Sequence, residues 1–281
     1  MPSVRVGIRY MDQFCKSIYY IHSHSMKSIN LSYNNFYSKS ISKEDFIYIV
    51  DDCIDIYNNL NDSDSKNIFI ASLRARLDGC FSFFKRSNYS EYYHPLVHVN
   101  KNDIVIDGGI WDKQIISKFS EIVGEHGHVY GFEPLSAAYL RSQEQLSDLK
   151  NITLENYGLG AEDGSFFITK QGEGSQVVKY ANENTETCRI TSIDNYISKS
   201  NIKKIDMIKL DIERAEPDAL RGAIQTINQY TPKLVISIYH KPIEQLIEIP
   251  KFILSLDLGY RIYMGHHSEI CFCTILYAIK S

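Results

Sequence analysis

Long apolar runs are missing from this 281-residue chain. No stretch approaches the roughly 18 consecutive apolar residues of a membrane helix, and the N-terminus lacks the apolar centre of a signal peptide. Neither a membrane span nor export is expected, so the expected compartment is the cytoplasm. Six cysteines (Cys15, Cys53, Cys80, Cys188, Cys271, Cys273) contain no C-x-x-C pair. Free buried thiols in a reducing cytosol are the reading. An excess of positive charge is also absent: 30 Lys and Arg stand against 34 Asp and Glu, a net charge of −4. With a pI near 6.1, the chain offers no electrostatic case for nucleic acid or an anionic membrane. Tryptophan occurs once against 20 tyrosines, a coding bias rather than chemistry. Apolar residues make up 44% and aromatics 12%, ample for a packed core.

One further absence decides a cofactor. Lys101-Asn-Asp-Ile-Val-Ile-Asp-Gly-Gly-Ile110 is a buried-strand pattern running into two glycines, and Val129-Tyr-Gly-Phe-Glu-Pro134 is a second apolar run closed by an acid. About 26 residues separate Asp107 from Glu133, the period of one strand–helix–strand unit. Gly108 and Gly109 let the backbone approach a ligand, with Ile110 next to them, and an acid at the second strand end can accept hydrogen bonds from a ribose diol. A dinucleotide would need three glycines as G-x-G-x-x-G, to seat pyrophosphate on a helix N-terminus. The third is missing here, and Asp112 would repel a pyrophosphate. S-adenosylmethionine, cationic at its amino group and sulfonium and without phosphate, suits the two acidic strand ends better.

Along the chain, residues 1 to about 40 show no clean periodicity, and 38–42 read as a linker or helix entry. A capped amphipathic helix is expected from Ser42 to about Asn59, a second over 63–77, and an aromatic segment over 78–99 that packs over the cofactor mouth. From Asn102 strands and helices alternate, the signature of a parallel α/β sheet. Strands are expected near 103–107, 128–132, 152–156, 205–210 and 233–238, with helices near 113–123, 136–149, 192–199, 216–229 and 243–256. Glu162-Asp163-Gly164 predicts a hairpin turn. Residues 259–264 and 272–279 predict an antiparallel finishing hairpin.

Two further clusters carry chemistry. In Lys209-Leu-Asp-Ile-Glu-Arg-Ala-Glu216, Asp211 falls at the carboxyl end of its strand, the edge where open parallel sheets bind ligands. With Asp107 and Glu133 it predicts a negative mouth suited to a sulfonium. Glu213 and Glu216 also suit the N-terminus of the next helix. Ser237-Ile-Tyr-His240 closes the following strand and puts a candidate general base, with a pKa near the ordinary value of about 6.5, opposite Asp211. Asp211, Glu213 and His240 offer donors suited to a divalent ion, but three scattered ligands fall short of a metal motif and no metal is expected. His266 and His267 read as surface-turn residues, with substrate contact as the alternative.

The ordered segments Val-Ile-Asp107-Gly-Gly, Val-Tyr-Gly-Phe-Glu133-Pro, Ile-Thr-Ser-Ile-Asp194, Ile-Lys-Leu-Asp211-Ile-Glu213-Arg-Ala-Glu216 and Ser-Ile-Tyr-His240 together resemble the FkbM-family methyltransferases. The resemblance runs from about Asn61 to the C-terminus and includes Asp62-Ser-Asp-Ser-Lys66 and Tyr89-x-x-Tyr92-Tyr-His-Pro95. It implies a class I methyltransferase fold: a Rossmann-like sheet, mostly parallel, with an antiparallel C-terminal hairpin and a helical N-terminal extension. Residues 1–98 would be the extension covering the site and 99–281 the S-adenosylmethionine-binding domain. Asp107 and Gly109 would line the methionine end, Glu133 would hold the ribose with Gly108, Ile110 and Pro134 around it, and Asp211 would sit beside the methyl-transfer centre. Two departures stand out. Lys113 occupies a loop position where a glycine is usual, and Arg214 replaces the glycine usual between Glu213 and Ala215. The arginine leaves two readings open, recruitment of an anionic substrate group or lost activity.

The expected function is O-methylation of a hydroxyl on a saccharide or glycan-pathway intermediate, with Asp211 and His240 catalytic and Glu213, Arg214, Tyr239 and His266 toward the substrate. Its rival is an inactive cofactor-binding scaffold or regulatory subunit of such a pathway. A nicotinamide oxidoreductase stands third, opposed by the missing glycine. Partners are a small-molecule or saccharide acceptor and no nucleic acid; a homo-oligomer is left open.

Overall fold

The computed structural model describes residues 43–78, 84–110, 113–169, 177–178, 180–241, 243–269 and 272–280. The expected linker at 38–42, the cap at Ser42 and the pair Trp111-Asp112 lie outside them, as do Cys15, Cys80 and Cys271.

Seven strands form the main sheet: β1 (Ile104–Gly108), β2 (His128–Phe132), β3 (Ile152–Glu155), β8 (Met207–Leu210), β9 (Lys233–Ser237), β10 (Tyr260–His266) and β11 (Thr274–Lys280). Their order is β10-β11-β9-β8-β1-β2-β3. β3, β2, β1, β8 and β9 run parallel, and β11 pairs antiparallel with both β9 and β10. The expected finishing hairpin is therefore present, inserted with its second strand inside. Both faces of the sheet are covered, so its strands are apolar throughout rather than alternating. Val105, Met207, Val235, Ile275 and Tyr277 pack on one side. Their neighbours Ile106, Ile208, Leu234, Ile236, Leu276 and Ala278 pack on the other. This period-2 partition of a continuous apolar run is what a doubly covered strand requires.

The helices are α1 (Lys43–Asn59), α2 (Ser63–Asp78), α3 (Lys113–Val123), α4 (Ser136–Gln145), α5 (Ile193–Lys199), α6 (Glu216–Arg221), α7 (Ile224–Tyr230) and α8 (Glu244–Ser255). Cys53, Ile56, Phe69 and Leu73 of α1 and α2 belong to the same apolar cluster as β8, β9 and α8, and Asn61 and Ser65 hydrogen-bond the backbone of β10 at Ile262 and Met264. The first two helices are thus integral to the core. No helix among the described residues is long and apolar enough to cross a membrane.

Two expectations need correction. The helix expected over 216–229 is broken at Gly222. A β-carbon there would lie 2.1 Å from the Gly160 carbonyl oxygen, so close packing against the 160 loop takes precedence over helix continuity. Asp194 restarts the chain as α7, accepting from the amides of Gln225 and Thr226 at 3.0 and 2.8 Å; it is a cap, as its side chain suits. The turn at Glu162-Asp163-Gly164 does not join neighbouring strands. A second sheet fills the crossover, with β4 (Gly158–Leu159), β5 (Gly164–Thr169), β6 (Val177–Val178) and β7 (Thr185–Thr191) in the order β4-β7-β5-β6. β7 lies between the two strands that the turn connects, and its seven residues were not separable from loop by pattern.

Candidate active site

The carboxyl ends of β1, β2, β8 and β9 meet at one edge of the main sheet. β1 turns away at Gly109, whose φ is +83°. A β-carbon there would stand 2.0 Å from the Asp211 carbonyl oxygen, so only glycine lets the first loop lie against the third strand end. Ile110 is 1% exposed and packs in the core with Ile116 and Phe119. Its side chain is enclosed there, so the cofactor contact expected at this residue falls to its backbone.

Asp107 is 1% exposed, and its Oδ1 lies 2.9 Å from Lys209 Nζ, itself 3% exposed. The parallel register aligns Asp107 with Lys209 directly, which is why the two meet. The same ammonium donates to the carbonyl oxygens of Gly108 and Gly109 at 3.1 and 2.9 Å, and lies 5.2 Å from the centre of the Tyr92 ring. Burial raises the Asp107 carboxyl above its usual range, and Lys209 only partly offsets this. Burial alone would lower the Lys209 ammonium. Asp107, Asp211 and Glu91 outweigh that and hold it above the ordinary lysine value. The three acids expected to form a uniformly negative mouth thus enclose a cation. Lys209 has no role in the expectations drawn from sequence; the signal for it was a lysine inside the otherwise apolar strand Met207–Leu210.

Glu133 closes β2 and is buried, with Oε1 accepting from the Leu135 amide at 2.9 Å. Burial pushes its pKa up to about 7, against the smaller opposing effects of the Leu135 amide, Arg141 and Lys209. Asn156, just beyond β3, donates to the carbonyls of Glu133 and Pro134 at 3.0 and 3.1 Å and fastens the segment.

Asp211 gathers the other half of the edge. Tyr92 donates to its Oδ2 at 2.5 Å and Tyr239 to its Oδ1 at 3.3 Å, and Oδ1 stands 3.3 Å from His240 Nε2. Burial would raise this carboxyl, but His240, Lys209 and Tyr92 outweigh it and hold it below the usual range. His240 is 1% exposed; its Nδ1 lies 2.8 Å from Glu216 Oε1 and its Nε2 3.7 Å from Glu213 Oε2. Burial would lower its pKa; Glu216, Asp211 and Glu213 together raise it to about 9. The expected neutral imidazole titrating near 6.5 is therefore displaced by the three carboxylates around it. Tyr92, with φ +64°, was missed as a site residue, although its segment was expected to pack over this region.

The turn after β8 places Glu213 and Arg214 at φ +53° and +89°. Arg214 thus adopts the left-handed conformation of the glycine it replaces. Glu213, Arg214 and Lys241 line a cleft of about 550 Å³ with Glu162, Asp163 and Phe166. His266 is not brought to the site: it is 0% exposed in β10, 2.9 Å from Thr274 Oγ1, and stacked on Phe84 with ring centres 3.9 Å apart. This overturns both its surface-turn reading and substrate contact, because a cross-strand partner and a stacked ring enclose it.

The sheet order, with one antiparallel strand inserted next to the edge and glycines, acids and a histidine gathered at the carboxyl ends of β1, β2, β8 and β9, is that of a class I methyltransferase fold. The family model for the methyltransferase FkbM domain matches residues 98–262, more than half of the chain, and the chain belongs to that family. A methyltransferase FkbM from Methylobacillus flagellatus KT has a similar structure, with a TM-score of 0.70 and 20% identity over 96% of this chain and 70% of that one. Fibrillarin from Aeropyrum pernix, solved with natively bound S-adenosyl-L-methionine, aligns with a TM-score of 0.41 and 15% identity over 64% of this chain and 67% of its own. A SAM-dependent O-methyltransferase from Thermotoga maritima aligns with a TM-score of 0.41 and 13% identity, over 68% and 67%. No curated protein matches the sequence.

Proposed function

We propose that the protein transfers a methyl group from S-adenosylmethionine to a hydroxyl of a saccharide or glycan-pathway intermediate. The residues fit that cofactor. Gly109 permits close backbone approach, and Glu133 is a buried carboxyl at the end of β2 that gives Oε1 to the Leu135 amide, with Oε2 the oxygen suited to a ribose hydroxyl. When bound, the cofactor supplies a methyl carbon made electrophilic by a sulfonium.

The observation that carries the oxygen assignment is the convergence of Asp211, Glu213 and His240 beside the glycine loop. An alkyl hydroxyl is a very weak acid, so its proton must be handled as the new bond forms. Asp211 and His240 are the groups we assign to that task, with Tyr92 and Tyr239 fixing the carboxylate. Glu213, Arg214 and Tyr239 are placed toward the acceptor. The polar cleft beside Glu213, with Phe166 at its edge, suits a polyhydroxylated ring. Residues 84–98, which deliver Tyr92 to Asp211, act as part of the acceptor side. Arg214 keeps the turn that glycine would make, which weighs against the inactive-scaffold alternative.

Incubation with S-adenosylmethionine carrying a labelled methyl group and a panel of saccharides tests the reading. The label is expected on an acceptor oxygen. Cofactor binding without label transfer to any hydroxyl acceptor would favour the scaffold.

A further inference from the structure

We propose that Asp211, Glu213 and His240 form a divalent-cation site, with Glu216 as the residue that orients the histidine. Asp211, Glu216 and His240 present donor atoms within 4.8 Å of one another, but Glu216 is already engaged at both oxygens. Its Oε1 accepts from the Ile212 amide and faces His240 Nδ1, each at 2.8 Å, and its Oε2 accepts from Gln245 at 2.5 Å. With Nδ1–H donated to Glu216, Nε2 is the ring nitrogen that an incoming ion would bind, displacing its proton. A carboxylate that fixes the tautomer of a ligating histidine in this way is the usual outer partner of a metal site.

His240 Nε2 is buried and makes no hydrogen bond among the described residues, yet two carboxylate oxygens face it, Asp211 Oδ1 at 3.3 Å and Glu213 Oε2 at 3.7 Å. A charge-assisted hydrogen bond would close to about 2.7–2.9 Å. Ligands at about 2.0–2.2 Å from a shared ion stand roughly 3.0–3.5 Å apart; the Asp211 separation falls in that range, and the partly exposed Glu213 carboxylate lies just beyond it. The second oxygen of Asp211 is held by Tyr92, so both Asp211 and His240 are oriented from behind. Two carboxylates and one imidazole suit a transition ion such as Mn²⁺ or Zn²⁺ better than Ca²⁺ or Mg²⁺, which prefer oxygen throughout. Three protein ligands leave positions open to water or to an acceptor hydroxyl, and a cation there makes an O–H more acidic. That last consequence rests on the proposed methyl transfer; the site itself does not.

The test is titration of chelator-stripped full-length protein with Mn²⁺ alone, read by electron paramagnetic resonance and calorimetry. One ion per chain is expected. Glu213→Gln, at a partly exposed side chain whose loss leaves the packed core unchanged, should weaken binding at least about ten-fold. Glu216→Gln should weaken it about ten- to a hundred-fold through the misoriented imidazole, whereas Glu162→Gln, elsewhere in the same cleft, should not change it. Absence of binding at about 1 mM Mn²⁺, or equal affinity in wild type and Glu213→Gln, overturns the site. S-adenosylmethionine binding is measured on the same stripped sample. Retained cofactor binding without an ion removes the cation site and leaves the proposed function standing; a bound ion without cofactor binding does the reverse.

Discussion

The two halves of the sheet edge are built by different means. At the ends of β1 and β2 the edge is mostly backbone: a glycine at positive φ, a loop held from beneath by Lys209, and two buried carboxyls, Asp107 on that lysine and Glu133. At the ends of β8 and β9 it is side chains brought from separate segments, with Tyr92, Asp211, Glu213, Glu216, Tyr239 and His240 in one hydrogen-bonded and charged cluster. The first half suits a cofactor common to many enzymes, because backbone geometry is indifferent to the acceptor. The second half is the one we assign to the acceptor, because its side chains come from separate segments. Lys209 serves both, since its ammonium donates to the loop carbonyls, pairs with Asp107 and helps hold the Asp211 carboxyl below the usual range.

Substituting Lys209 should therefore break the comparison most severely. Lys209→Met leaves Asp107 buried without its cation and the loop carbonyls without a donor, a loss of about 3–5 kcal/mol. Urea unfolding measures it, and a change below about 1 kcal/mol would show that the pair contributes little. The acceptor half is separated from the cofactor half by kinetics. His240→Asn and Asp211→Asn should lower kcat by about 10²- to 10⁴-fold while the cofactor dissociation constant changes by less than about three-fold. Equal losses in both quantities would merge the two halves into one.

Glu133 sharpens the cofactor half. Glu133→Ala should weaken S-adenosylmethionine binding about ten- to a hundred-fold, the value of charge-assisted bonds to the ribose. Because the folded pKa is raised to about 7 from 4.5, the protonated carboxyl favours the fold. Its stabilising contribution is complete below about pH 4.5 and is lost as pH rises through 7, by about 3 kcal/mol. Cofactor affinity should move the opposite way, rising through pH 7 as the carboxylate forms. Glu133→Gln should flatten both trends, and unfolding and binding isotherms between pH 5 and 8 read them. The smallest effect belongs to the β8 turn. Arg214→Gly removes a non-glycine residue from φ +89° and should stabilise the protein by about 1 kcal/mol, raising Tm by about 2 °C. A higher KM in the same variant would assign the guanidinium to the acceptor.

Most of the sheet was legible in the sequence because its strands are unbroken apolar runs closed by polar residues at a regular period. Asp107, Glu133 and Asp211 were readable as strand ends for the same reason. Tyr92 was not, since it and Asp211 stand 119 residues apart and no periodicity connects them. His240 was readable by position but not by protonation, because its three carboxylate neighbours arrive from a turn with two residues at positive φ. The small sheet over 158–191 escaped because β5 is largely exposed or only partly buried and the strands are not paired in chain order. His266 was misplaced because a turn residue and the last residue of a strand look alike in sequence.

The most direct test of the central claim is calorimetric titration of the purified chain with S-adenosylmethionine, S-adenosylhomocysteine and NAD. Both sulfur ligands should bind with micromolar-class affinity, on the order of −8 kcal/mol, and NAD should give no heat. Binding of NAD, or of neither sulfur ligand, would contradict that claim.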